Sequence, residues 1–178
     1  MLGVVFTTLI EMLEENVSPE FADEVITEAK LDNDGAYTSV GYYPFSEMQK
    51  ILGVLVAKTG KPPEELLHGF GYYLFGRLAQ SHGQVMSGSK NLLDALSVLD
   101  NDIHVQVRKL YPDADLPTFT VVSRTENTMV LEYYSVRELA PLAEGLMDGA
   151  AEFFGQKVNR VTTKSDKPHT YEFLITVE

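Results

Sequence analysis

Apolar residues at Leu2, Phe6, Leu9, Ile10 and Leu13 recur at helical spacing, and the first two-thirds of the chain keeps that rhythm. Ser18-Pro19-Glu20 offers a capping hydroxyl followed by proline at the first helical position, which predicts a helix through Ala29. Asp32-Asn33-Asp34-Gly35 predicts a turn and Gly41 to Pro44 a loop. Ser46 then suits the cap of a helix carrying Met48, Ile51, Leu52, Leu55 and Val56, which Gly60-Lys61-Pro62-Pro63 ends. The next helix runs through Leu66, Leu67, Phe70, Leu74 and Leu78, and Gly83 to Ser89 breaks the pattern. Leu93, Leu96, Ile103, Val107 and Leu110 predict one long helix, stopped at Tyr111-Pro112.

The rhythm changes after Pro117. Phe119 to Ser123 and Met129 to Tyr134 read as strands joined at Thr125-Glu126-Asn127-Thr128, a hairpin signal. Leu139, Leu142, Leu146 and Phe153 return to helical spacing. Val158 to Thr162 and Tyr171 to Val177 return to strand, with Tyr171, Phe173, Ile175 and Val177 alternating. The sum is α+β: an N-terminal helical part, then a small antiparallel sheet with a helix packed on it, joined around Pro112 to Pro117. There is no internal repeat and no low-complexity tract.

Composition narrows the class. A chain of 178 residues with 44% hydrophobic content suits one globular domain. No apolar run reaches membrane-spanning length. Met1 to Phe6 is apolar, but it has no basic leader and Glu11, Glu14 and Glu15 follow, so a cytoplasmic protein is expected. The absence of cysteine excludes disulfides, thiolate haem ligation, iron–sulfur clusters and cysteine zinc sites. A net charge of −12, without a basic stripe, argues against nucleic acid and anionic lipid. The same acidity keeps a protein soluble and would favour a partner with a basic face.

Two features carry chemistry. His104 lies in an apolar helical stretch beside Ile103 and Val107. It reads either as a helix histidine packed in a core or paired with Asp100, four residues earlier, or as an axial metal ligand in an apolar pocket. Tyr133-x-Ser135-x-Arg137 offers two hydroxyls and a guanidinium at alternating positions, facing one side of an extended segment. Arg137 also precedes an apolar helix beginning near Glu138, so this donor set suits carboxylates at a strand-to-helix junction. A nitrogen ligand for a metal and a receptor for carboxylates together match a metal-bearing macrocycle with acidic arms, which is haem. His68, His82 and His169 have no HxxxH or HExxH spacing and read as surface or core residues. Glu11, Glu14 and Glu15 read as a helix surface. The helical glycines Gly53, Gly69, Gly71 and Gly76 make no phosphate loop and suit close approach instead. No GxSxG is present to support a hydrolase serine.

The chain resembles the haem nitric-oxide/oxygen-binding (H-NOX) family, whose domain also serves as the sensor of soluble guanylate cyclase. The resemblance spans essentially the whole chain. It is carried by the Gly3-bearing N-terminal helix, Leu99-Asp100-Asn101-Asp102-Ile103-His104, Lys109-Leu110-Tyr111-Pro112-Asp113-Ala114, Leu116-Pro117-Thr118-Phe119, the Tyr133–Arg137 triplet, and Gly145-x-x-x-Gly149-Ala150-Ala151-x-Phe153-Phe154. It implies a single domain with a helical half over about residues 1–60 and a haem-holding α/β half over about 61–178. It also implies haem b (iron protoporphyrin IX), with His104 as the iron ligand. Tyr133, Ser135 and Arg137 would clamp the propionates, Pro117 would press on the macrocycle, and Val5, Leu9, Leu74, Leu78 and Leu142 would lie near the distal side. Oxygen-binding members carry a distal tyrosine where this chain has Leu142, so the resemblance implies a sensor of nitric oxide and carbon monoxide that excludes oxygen. Tyr72 and Tyr73 are the hydroxyls that could otherwise reach that side. The cysteine zinc site of some bacterial members cannot form here. The implied partner is a histidine kinase or a cyclic-di-GMP enzyme, and the domain itself is no enzyme. The rival reading is a haem enzyme, peroxidase-like or nitric-oxide-consuming, which would need a polar distal acid–base group.

Overall fold

A computed structural model describes residues 1–82 and 88–178, apart from the side chain of His82. The His82 side chain and most of the expected break at Gly83 to Ser89 therefore lie outside the described residues.

The N-terminal part is built from α1 (Gly3–Asn16), α2 (Pro19–Ala29), α3 (Phe45–Thr59) and α4 (Pro63–His82). α2 starts as its sequence dictates, with the Ser18 hydroxyl accepting the Phe21 N–H at 3.1 Å and Pro19 in the first turn. α3 differs from the Ser46 expectation. It begins at Phe45, and its cap position is Pro44, with no side-chain capping bond. The proline ring already fixes an extended entry (φ −61°, ψ 140°), so Ser46 falls inside the first turn. Apolar faces of all these helices meet in one cluster that includes Phe6, Leu9, Val25, Ile51, Leu55, Phe70 and Leu74.

The long helix expected between Leu93 and Leu110 is three pieces: α5 (Leu92–Ser97), a π-helical turn (Leu99–Ile103) and α6 (His104–Leu110). The amides of Asp102 and Ile103 both reach the Val98 carbonyl, at 2.8 and 3.3 Å. Apolar spacing reports which side of a helix is buried, and it does not report which carbonyl each amide takes. One widened turn therefore escapes it. α6 stops at Tyr111, ahead of Pro112.

Four antiparallel strands follow in the order β1-β2-β4-β3: β1 (Thr118–Arg124), β2 (Thr128–Tyr134), β3 (Val158–Lys164) and β4 (Thr170–Val177). Met129, Leu131 and Tyr133 alternate inward from β2, and Phe173 and Ile175 from β4. They pack with α7 (Ala140–Phe153) and α5 into a second cluster. This is the α+β arrangement that the periodicities predict.

α4 and α7 cross at very close range. A Cβ on Gly71 would lie 2.2 Å from the Leu142 carbonyl oxygen, and one on Gly145 would lie 2.0 Å from that of His68. Only glycine permits that approach. Beside the crossing, Asp148 of α7 takes His68 at 2.7 Å and Arg160 of β3 at 2.6 Å.

Candidate functional site

His104 opens α6, and its imidazole is buried. Its Nδ1 lies 2.6 Å from Asp100 Oδ1, and the Phe119 N–H donates to Asp100 Oδ2 at 2.8 Å. A carboxylate only accepts, so the proton sits on Nδ1 and the lone pair on Nε2. Burial lowers the pKa of His104, against the support of Asp100, so the ring is neutral at pH 7. A neutral imidazole with one nitrogen tied to a carboxylate and the other carrying a lone pair is the form that ligates a metal. The π-helical turn brings both Asp100 and His104 to this point. The pairing with Asp100 and the ligand reading describe the same geometry, so they do not exclude each other.

Phe119 of β1 stands next to the imidazole, ring centres 5.8 Å apart, and Tyr133 of β2 stands 5.3 Å beyond Phe119. Burial pushes the Tyr133 phenol above its ordinary value, with Ser135 and the Leu139 backbone acting the other way. Pro117 is half-buried immediately before β1.

The triplet does not share one extended face. β2 ends at Tyr134, and the Ser135 hydroxyl accepts the Arg137 N–H at 3.2 Å. Glu138 takes a positive φ of 48°, and α7 begins at Ala140 instead of near Glu138. A serine two residues ahead of an amide competes with the strand ladder by bonding locally, which turns the chain. That turn aims Arg137 at the loop before β1. Its guanidinium meets Asp115 Oδ2 at 3.0 Å, donates to the Asp115 carbonyl at 3.1 Å, and lies 5.8 Å from the Phe45 ring. Burial, and then the nearby Arg137 charge, lower the pKa of the Met1 ammonium.

Val5 and Leu9 of α1, Leu74 and Leu78 of α4, and Leu142 of α7 all belong to, or pack against, the first apolar cluster. The two tyrosines that could have supplied a hydroxyl there are engaged elsewhere. Tyr72 donates to Glu152 and Tyr73 to Glu15. Glu11 and Glu15 pair with Arg77, so they are a helix surface as their pattern suggests. His68 belongs to the α4–α7 seam, and His169 precedes β4 near Tyr134.

Asp100, Asp115 and Phe45 complete this site; sequence reading named Asp100 as a partner for His104 and did not name Asp115 or Phe45. Asp100 carries a signal in its spacing of four from His104. Asp115 and Phe45 carry none, because they reach Arg137 only through the fold.

Among the described residues, no group of three or more His, Cys, Asp or Glu is placed to hold a bare metal ion. A metal at His104 must therefore bring most of its own ligands. The imidazole, the carboxylate-binding guanidinium and the aliphatic cluster fit haem in this respect.

A family model described as Haem-NO-binding matches residues 2–161. No curated protein sequence matches the chain. Among solved structures, an unliganded Fe(II) H-NOX protein from K. algicida is 33% identical, with a TM-score of 0.94 over 100% of this chain and 97% of that one. An H-NOX protein from S. oneidensis in the Fe(II)NO state is 26% identical, with a TM-score of 0.92 over 100% and 99%. The IWP-051-bound H-NOX from Shewanella woodyi in the Fe(II)CO state is 38% identical, with a TM-score of 0.85 over 99% and 94%.

Proposed function

The chain belongs to the Haem-NO-binding family, and from that membership we propose that it is a sensor whose ferrous haem b binds nitric oxide and carbon monoxide and excludes oxygen. The observation that carries this reading is the buried His104 imidazole, fixed through Nδ1 by Asp100 so that Nε2 is the ligating atom. The S. oneidensis and S. woodyi relatives, solved with nitric oxide and carbon monoxide on iron(II), support the choice of gases.

When bound, haem would supply an iron atom that takes up the gas. His104 would hold the iron through Nε2, Tyr133, Ser135 and Arg137 would donate to the propionates, and Pro117 would pack beside the ring. Val5, Leu9, Leu74, Leu78 and Leu142 would form the aliphatic wall around the gas. An aliphatic wall selects by withholding a hydrogen bond. Bound oxygen carries partial negative charge and depends on a donor far more than nitric oxide or carbon monoxide does.

His104 passes its state to α6, which it opens, and to β1 through Asp100 and the Phe119 amide. A two-state shift of α6 against the remainder becomes a signal when a partner binds the two states unequally. The partner we propose is a histidine kinase or a cyclic-di-GMP enzyme in the cytoplasm, with this domain itself non-catalytic. Among the described residues, no helix is long and apolar enough to cross a membrane.

The test is the absorption spectrum of the ferrous, haem-loaded protein under each gas. Nitric oxide and carbon monoxide should each move the Soret band, and air should give no oxy species. A stable ferrous–oxy spectrum in air would contradict the reading. Peroxidase turnover well above that of free haem would favour the enzymatic rival.

A further inference from the structure

We infer that Asp115 competes with the carboxylates of haem for Arg137, and so sets how firmly this protein keeps its cofactor; the inference rests on the haem reading above. Arg137 is the guanidinium proposed to hold the haem carboxylates, yet its Nη2 is 3.0 Å from the Asp115 carboxylate and its Nη1 donates to the Asp115 carbonyl at 3.1 Å. Among the described residues, this is the one carboxylate placed on that guanidinium. Glu138, the adjacent acid, is drawn to Lys164 at 3.0 Å. Arg137 also lies near an aromatic ring and a cation, Phe45 and the Met1 ammonium. Neither replaces an anion.

The two partners are unequally placed. The Arg137 side chain is 17% exposed and cannot turn to water, whereas Asp115 is 68% exposed and can. Asp115 can therefore leave the pair for solvent, and Arg137 then needs another anion. A haem carboxylate offers the same two-oxygen geometry to the same fork of N–H donors. Two carboxylates contending for one guanidinium in a chain of net charge −12 weaken each other's hold.

Asp115 also sits in the loop that leads from α6 to β1, two residues before Pro117. Whichever carboxylate holds Arg137 thus decides whether that loop is tied to the start of α3 through Phe45 and Arg137 or left to its own Tyr111–Ala114 turn.

The experiment is haem transfer from the loaded protein to excess apomyoglobin, followed at the Soret band. Asp115→Asn keeps size and removes the charge, so transfer should slow about two- to fivefold, the scale of one exposed ion pair. Asp113→Asn removes an exposed acid from the same loop and should transfer at the wild-type rate. Arg137→Gln should lose haem faster, and adding Asp115→Asn to it should change nothing further. Equal or faster loss from Asp115→Asn would overturn the inference. So would slowing that persists beside Arg137→Gln, or that Asp113→Asn reproduces. A wild-type protein that takes up no haem would overturn the haem reading itself, together with this inference; normal uptake with no Asp115 effect would overturn this inference alone.

Discussion

Asp100 does two things with one carboxylate: it orients the His104 ring and it holds the start of the edge strand β1. Its charge should make the imidazole a stronger electron donor to iron. Asp100→Asn should therefore lower the iron–histidine stretching frequency of the ferrous protein in resonance Raman, with a stability loss on the order of 1 kcal/mol. An unchanged frequency would mean that the carboxylate does not bear on the ligand. On the distal wall proposed to include Leu142, Leu142→Tyr would introduce a hydroxyl, and it should add an oxygen-dependent Soret shift in air that the wild type lacks. At this scale the sequence showed what residue chemistry shows. A lone histidine in an apolar stretch and an arginine beside two hydroxyls were readable from type and spacing. Asp115 was not, because its bond to Arg137 closes a separation of 22 residues through a turn made by Ser135.

Helices and strands followed from apolar period, and their exceptions are places where local backbone chemistry, a proline ring or a short-range hydrogen bond, overrode the expected pattern. Pro44 replaced Ser46 as the entry to α3. The Val98 carbonyl took two amides and opened the π-helical turn. β2 ended at Tyr134 as its pattern predicts, but the Ser135 hydroxyl took the Arg137 amide and turned the chain there, so the triplet left the extended path. Two of these exceptions deliver His104 and Arg137 to the candidate site, so that site is built from irregular elements. The α4–α7 crossing is the opposite case, a regular contact that depends on missing side chains. Gly145→Ala puts a methyl 2.0 Å from the His68 carbonyl oxygen, and the helices must part. A loss of about 1–3 kcal/mol in thermal or denaturant unfolding is expected, with a lowered midpoint. A midpoint at or above the wild-type value would show that the crossing has slack.

Across the whole molecule, α4 joins the two apolar clusters. It gives Phe70 and Leu74 to the cluster of α1, α2 and α3, and it presses Phe75 against the cluster under the sheet. The Asp148 cluster locks the same seam. Burial pushes the Asp148 carboxyl up, but Arg160 and then His68 outweigh it and hold its pKa below the ordinary value. A depressed folded value contributes stability above the unfolded pKa, and that contribution is lost as pH falls through the folded one. Asp148→Asn should therefore flatten the stability–pH curve below about pH 4. An acid limb as steep as that of the wild type would place the titration elsewhere. Apolar periodicity was enough for the α+β class, but it could not reveal this sharing, because the residues concerned are more than sixty positions apart and meet only in the packed chain.

The central claim is that His104 binds the iron of a haem. It is tested most directly by the Soret spectrum of the ferrous protein, wild type against His104→Gly, each with and without added imidazole. The wild type should show a histidine-ligated ferrous band that His104→Gly loses, and free imidazole should restore it in the variant while leaving the wild type unmoved. A variant whose spectrum matches the wild type without imidazole, or a wild type that takes up no haem, would contradict the account.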